Sequence, residues 1–412
     1  MVRTSVLPSL AALTLASAAL AQFTATSLHP AGATESSSLG IGMTPTGLRQ
    51  VGAVTIASVT RAALWTGTPA SFVDLNPAGV GSIAYAISGN TQVGVAFAGS
   101  FNVASTWSGS AASWTNISGG AASTAYAIDD GLIGGTFTVS SNTNAACQWQ
   151  NGVRTQVSGT TLTGVDNGAR VGNQRTGSFP VYSTAAGFLP SGSFTSINLH
   201  PAGAHGSAAT GISGSQQVGY VRATLAAPHR AALWSGSSAW TNLHPAGTDN
   251  TASECTAVSN GVQVGFVMII DPNDPNLNSV SRAALWRGTP ASWVNLHNSL
   301  PGGAAAWAYS RATGVYDDGT TTTIVGAAFN IATNRNEAVM WTSVPTPTCG
   351  TSDFNGDGDF GTDADIEAFF ACLAGTCCPT CYEGGSDFNA DGDFGTDADI
   401  ESFFRVLGGG NC

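Results

Sequence analysis

A Val-Gly or Ile-Gly pair recurs seven times between residues 51 and 326, each followed by an aromatic residue, so most of this chain is built from copies of one small unit. The pairs are Val51-Gly52, Val93-Gly94, Ile133-Gly134, Val171-Gly172, Val218-Gly219, Val264-Gly265 and Val325-Gly326. The aromatics are Trp65, Trp107, Trp149, Tyr182, Trp234, Trp286 and Trp341. A unit of this size cannot bury its apolar face alone and must stack on its neighbours.

The fullest copies show what the unit is made of. Arg61-Ala62-Ala63-Leu64-Trp65, Arg230-Ala231-Ala232-Leu233-Trp234 and Arg282-Ala283-Ala284-Leu285-Trp286 are short runs joined by Gly, Ser, Thr and Pro, with no helical periodicity. Asp130-Gly131, Asn167-Gly168, Ser213-Gly214, Asn260-Gly261 and Asp318-Gly319 stand just upstream of the Val-Gly strand, where a tight hairpin needs positive φ. About four short strands per unit, at a period of roughly 40 to 50 residues, match one propeller blade. The ends of the array are complementary. Thr26-Ser27-Leu28-His29-Pro30-Ala31-Gly32 matches the piece that elsewhere follows the Trp, and Glu337-Ala338-Val339-Met340-Trp341 is the piece that precedes it. Pairing them would close a ring without a free edge. The expected fold is all-β, a seven-bladed propeller over residues 22–343, with an open β-solenoid as runner-up. The Ala-x-Leu-Trp strand and the Gln-Val-Gly strand resemble the HAF-type extracellular repeats of bacteria, a resemblance that implies fold and carries no activity.

Charge marks a second part. Residues 349–412 hold 13 of the 25 acids and one base, Arg405, so the whole net charge of −12 lies there and the remainder is neutral. That distribution argues for cation binding in the tail and against nucleic acid as a partner. Residues 1–21 read as an export signal, with Arg3, an apolar run from Leu10 to Leu20 and a small-x-small site at Ala19-Leu20-Ala21. The expectation is a secreted or surface-associated protein with no transmembrane segment. A Pro/Thr linker is expected at 344–348. Cys349, Cys372, Cys377, Cys378, Cys381 and Cys412 crowd into the tail and suggest disulfides, with fifteen pairings open.

Within the tail, Ser352–Phe370 and Ser386–Phe404 repeat at an offset of 34 and differ at two positions. Each opens with D-x-N-x-D-G, the front half of an EF-hand loop, a spacing that turns hard oxygen donors toward one point. The expected ligands of two Ca²⁺ ions are Asp353, Asn355, Asp357 and Asp359, and Asp387, Asn389, Asp391 and Asp393. Gly358 and Gly392 stand at the sharp turn. Asp365 and Asp399, after a one-residue insertion, are preferred as the closing ligands, with Asp363 and Asp397 the alternatives. Ile366, Phe369, Phe370 and Leu373, and their second-copy counterparts, follow at helical spacing. This paired loop-then-helix tail, opening with Cys and ending Gly-Gly-x-Cys, resembles a dockerin. The resemblance implies docking onto a cohesin-type partner, with Thr362, Asp363, Thr396 and Asp397 at the recognition positions.

Other residue classes have plainer readings. His29, His200, His244 and His297 share one repeat position; a metal ring on the axis is conceivable, but His-Pro-Ala-Gly is turn chemistry. The recurring Trp residues read as core between units, and Trp114, Trp240 and Trp293 as better placed for exposure. Cys147 and Cys255 lie three units apart and are expected as free buried thiols. No nucleophile elbow, metalloprotease motif or phosphate loop occurs. The favoured reading is a non-catalytic protein whose ring binds a glycan or protein ligand. The alternatives are a polysaccharide hydrolase or lyase and a structural surface component.

Overall fold

The computed structural model describes residues 23–412 except 141–142, 177–182, 248–249, 272–277, 345–348, 383, 391 and 411–412. The expected export signal, most of the linker, Tyr182, Asp391 and Cys412 therefore lie outside the described residues. The chain divides into a unit spanning Phe23–Ser343 and a second that contains the tail from Val344.

The first unit is a seven-bladed β-propeller. Its described strands form seven antiparallel sheets of four, and successive sheets pack against one another around a ring. Blade 1 is Glu35–Thr44, Gly47–Ile56, Val59–Trp65 and Val73–Asp74, counted outward from the axis. Blades 2 to 6 follow the same order. Blade 7 takes Trp307–Asp317, Thr322–Asn330 and Arg335–Ser343 from the end of the array and Phe23–Ser27 from its start. The closing register pairs Ala25 with Trp341 and Ser27 with Val339. The complementary ends thus shut the ring as expected, and the outer edges of the described sheets are short strands.

Two local features of each blade follow directly from its sequence. The hairpins at Asp130-Gly131, Asn167-Gly168 and Asn260-Gly261 hold both residues at positive φ, the turn whose twist matches the strands it joins. The Gly of each Val-Gly pair answers a bulge in the inner strand. In blade 1 the register slips between Ser38 and Gly40, and the Ser37 carbonyl then fills the space where a Cβ on Gly52 would stand. The same geometry sets the register in blade 3, where the equivalent pair is Gly134-Gly135 rather than Ile133-Gly134. In blade 4 the third strand pairs Leu189 with Arg170 as Trp65 pairs with Gln50, so Leu189, not Tyr182, takes the Trp position.

Packing runs between blades. Trp65, Trp107, Trp149, Trp234, Trp286 and Trp341 are all buried, each against the preceding blade: Trp286 of blade 6 lies on Val218, Ala231 and Leu243 of blade 5. Trp114, Trp240 and Trp293 are half-buried against the same clusters rather than free on the surface. Cys147 and Cys255 are buried free thiols, and burial pushes the Cys147 thiol up to about 12.

A polar joint accompanies each apolar one. A backbone N–H of one blade's third strand donates to a serine hydroxyl on the next blade's inner strand, as Ala62 to Ser82 and Ala283 to Ser310, at 3.0 and 2.9 Å. Ala104 to Ser123, Ala186 to Ser207, Ala231 to Ser253 and Ala338 to Ser36 repeat it, the last across the ring closure. Four of these serines meet the shared histidines: Ser36, Ser207, Ser253 and Ser310 lie 2.7–2.9 Å from Nδ1 of His29, His200, His244 and His297. In three, Nε2 faces a carbonyl, as His297 faces Ala304 at 3.2 Å. A carbonyl only accepts, so Nε2 carries the proton and Nδ1 receives the serine hydroxyl. These histidines tie blade to blade and do not form an axial ring.

Two measurements test the joint. Ser310→Ala leaves the Ala283 amide and His297 unpaired in a buried site and is expected to lower unfolding free energy by about 1–3 kcal/mol in denaturant titration of the full chain. Burial, helped by the charge of Arg282, pushes His297 down to about 4. Between that value and the roughly 6.5 of an unfolded histidine, the unfolded chain holds a proton that the folded chain lacks. Stability is therefore expected to fall as pH drops through this window, by at most about 1.4 kcal/mol per unit from this group. His297→Asn, the residue blade 1 carries as Asn76, should flatten that slope.

Candidate functional site

The acidic tail has the densest chemistry in the chain. Its core is four phenylalanines, two from each copy: Phe354, Phe369, Phe388 and Phe403 are wholly buried. Phe369 stacks on Phe403 at 4.1 Å between ring centres, and Phe354 and Phe388 meet that pair edge-on at 5.3 and 5.2 Å. Phe354 and Phe388 sit inside the loops at the second position, so each loop is pinned to the core by its own ring. The helices are α1, Asp363–Leu373, and α2, Asp397–Leu407. Two disulfides, Cys372–Cys377 and Cys378–Cys381, bind the segment after α1, and Cys349 is disulfide-bonded as well. For so small a core such staples replace missing apolar area.

Each loop is held at its base by one buried carboxylate. Asp365 Oδ1 accepts from the amides of Phe354 and Asn355 at 2.8 and 3.3 Å, and Oδ2 from the amide and hydroxyl of Thr362 at 2.8 and 2.9 Å. Burial alone would raise its pKa. The donors at Thr362, Asn355 and Phe354 outweigh that and hold the carboxyl below its ordinary value. In the second copy Asp399 accepts the matching bonds, from Thr396 N and Oγ1 at 2.8 and 2.9 Å and from Asn389 N at 3.3 Å. Both acids stand in the first helical turn, where the helix dipole favours negative charge.

The other described loop acids are half-buried or exposed. Asp353 accepts from the amides of Asp357 and Gly358 at 3.0 and 3.1 Å, Asn355 from Asp357 at 3.0 Å, and Asp357 from Asp359 at 2.9 Å. Gly358 and Gly392 have φ of 94° and 92°, the left-handed backbone expected at the sharp turn. Asp357, Asp359, Asp363, Asp393 and Asp397 are exposed, whereas Asp353 and Asp387 are half-buried and Asn389 is buried. Arg405, the tail's single base, pairs with Glu401. Among the described residues no three His, Cys, Asp or Glu side chains converge closely enough to define a metal centre. The donors nevertheless suit a hard cation: they are all oxygens, their net charge is strongly negative, and Asp353, Asn355 and Asp357 stand at the spacing such an ion requires. Asp365 is the least available donor, because each of its oxygens already receives two hydrogen bonds.

The spacing of acids foretold the loops but not what Asp365 does, since capping and coordination use the same residue types. It passed over Phe360 and Phe394, one in each loop, which are each 71% exposed; Phe370 and Phe404, read with the apolar helix residues, are exposed too, with rings 6.2 Å apart.

In the ring, acids and bases are paired for structure: Arg61 with Asp74 at 2.7 Å, Arg335 with Glu337 at 3.1 Å, and His229 with Glu254 at 2.5 Å, the His229 ring stacked on Tyr220. Among the described residues no helix is long and apolar enough to cross a membrane.

No protein-family model and no curated protein matches this chain. Solved structures with a similar ring include the β-propeller domain of the Trilobed protease from Pyrococcus furiosus. It is 7% identical over 74% of this chain and 95% of that one, with a TM-score of 0.46. An acylaminoacyl peptidase from Pyrococcus horikoshii is 8% identical over 74% of this chain and 51% of its own, TM-score 0.46. A prolyl endopeptidase is 13% identical over 74% and 48%, TM-score 0.48. This chain spans about half the length of those two peptidases.

Replacing Asp365 with Ala removes four charge-assisted hydrogen bonds at once and leaves buried amides unpaired. The expected outcome is loss of hydrogen-exchange protection at the Phe354 and Thr362 amides, with protection in the propeller strands unchanged. Each orphaned bond to the carboxylate costs about 1.5–3 kcal/mol.

Proposed function

We propose that this chain is an exported, non-catalytic binding or display protein whose acidic tail is a calcium-dependent docking module. The observation that carries the reading is the doubling of the tail. Two copies share one four-phenylalanine core and present the same residues twice: exposed Phe360 and Asp363 with half-buried Thr362 from one, and exposed Phe394 and Asp397 with half-buried Thr396 from the other. Exposed aromatics on a module this small favour a partner surface, and the resemblance to dockerins names a cohesin-type protein as its class.

In this reading Asp353, Asn355, Asp357 and Asp359 hold one Ca²⁺, and Asp387, Asn389, Asp391 and Asp393 the other. Asp365 and Asp399 stand behind them as buried charges that fix loop to helix. The ion supplies positive charge that lets clustered carboxylates coexist, and ligand release on chelation would loosen the recognition face. The amino-terminal export signal and the HAF-like repeats support an extracellular setting, where the tail's disulfides persist.

Calorimetry on the full chain is expected to give two bound Ca²⁺ per chain, and Asp353→Ala one. A cohesin-type partner should be retained in calcium and released by EDTA. Zero stoichiometry, or retention indifferent to EDTA, overturns the docking proposal.

A further inference from the structure

Seven copies of one unit act as controls for each other, and one place in the ring departs from all of them. The third-strand position that faces the Val-Gly glycine is Ala63, Ser105, Cys147, Ala232, Ala284 or Val339 in six blades and Gly187 in blade 4. The Trp position there is Leu189. The residue that opens the outer strand is an aromatic in four blades, Phe72, Trp114, Trp240 and Trp293, and Arg154 and Ala25 in blades 3 and 7; in blade 4 it is Ser196. The joint behind it changes too. Between blades 3 and 4 the histidine position is Ser158, and the Ala146 amide donates to the Gly159 carbonyl at 3.1 Å in place of a serine hydroxyl.

These departures open a single cavity of about 390 Å³, floored by Ala186, Gly187 and Leu189 and rimmed by Ser158, Asn173, Gln174, Ser196, Asn198 and His200. The backbone does not impose the space. A Cβ on Gly187 would meet Ser196 Cβ at 3.5 Å, an ordinary contact. The volume is at the small end of the roughly 300–1,000 Å³ typical of small-molecule sites.

The lining sets the chemistry of the occupant. Among the described residues it contains no carboxylate, lysine or arginine. Both ring nitrogens of His200 are engaged, with Ser207 Oγ at 2.8 Å and the Ala204 carbonyl at 3.0 Å, which excludes it as a free base. Asn173 Oδ1 accepts from the Ala209 amide at 2.8 Å and Asn198 Oδ1 from the His200 amide at 2.9 Å, which fixes each carboxamide and leaves its NH₂ to donate. Ser158 and Ser196 hydroxyls face each other at 3.3 Å, each able to donate or accept. A ring of neutral donors and acceptors around an apolar floor matches a molecule with hydroxyls at its edge and C–H groups on its face. A charged ligand would be desolvated there without a counter-charge.

We propose that the blade 4 cavity binds a neutral saccharide, of about mono- to disaccharide size. The proposal rests on the binding role read for the ring and gives it a site; it does not depend on the tail. The test uses the full chain with glucose, galactose, mannose and xylose, their β-linked disaccharides, and glucuronate, followed by calorimetry and ligand-observed NMR in calcium and in EDTA. At least one neutral sugar is expected to bind with Kd of about 1 mM or tighter, unaffected by EDTA, and more tightly than glucuronate. Ser196→Trp restores the side chain of three other blades and should reduce affinity at least tenfold while leaving the melting temperature unchanged or raised. Should it lower the melting temperature, Gly187→Val, the blade 7 residue, fills the same space. Gln174→Ala should weaken binding severalfold. Failure of every neutral sugar to bind, tighter binding of glucuronate, or full affinity in both filled variants overturns the proposal. Sugar binding without calcium-dependent docking, or docking without sugar binding, separates this failure from failure of the tail reading.

Discussion

A serine hydroxyl standing between two sheets holds the ring together in a way that apolar packing alone would not. Each blade's third strand carries an amide that its own sheet leaves unpaired, and in six of the seven joints the next blade's serine takes it. A buried amide without a partner is costly, so the bond favours one angular step between blades. The buried Trp beside it supplies the area, and the bond supplies the direction. Three of the histidines extend the same network: the imidazole accepts a hydrogen bond from the serine hydroxyl at Nδ1 and donates one from Nε2 to a turn carbonyl. Repetition of that arrangement, including Ala338 with Ser36 across the closure, brings the first and last strands into one sheet.

The tail solves a different problem. Its core is too small to be held by burial alone, and most of its polar surface carries one sign of charge. It relies on pairing the two copies through four aromatic rings, on disulfides around the segment after α1, and on a buried carboxylate at the base of each loop. The loop acids remain outside this scaffold and repel one another at close range, a tension that the proposed divalent ion would relieve. Asp365 and Asp399 build the loop, and the more exposed acids are those that the proposed ligation adds to it.

In a scaffold made of near-identical units, a site arises where the repeat fails. Blade 4 loses bulk at three positions and its joint to blade 3 loses the serine, and these losses meet in one cavity. Elsewhere in the ring, charged side chains such as Arg61 with Asp74, both partly exposed, and Arg335 with Glu337 are satisfied by each other. A fold of this kind hosts many activities, so the cavity's lining, rather than the propeller, bears on what is bound.

Much of this was written in the chain. Seven Val-Gly marks, the Asn-Gly and Asp-Gly turns and the complementary ends determined a closed ring of four-stranded blades, because strand period and turn chemistry are local properties that need no distant partner to be read. The front halves of the two acidic loops were legible for the same reason. Only the tertiary structure decided the rest. Ile133-Gly134 yields to Gly134-Gly135, and Tyr182 to Leu189, because register is set by a bulge on a neighbouring strand. His29, His200, His244 and His297 became joints because their serines lie on the next blade. Asp365 became a cap because its donors include the amides of Phe354 and Asn355, ten residues or more away. A side chain's type is local, but its partner is not, and partners are what give it a role.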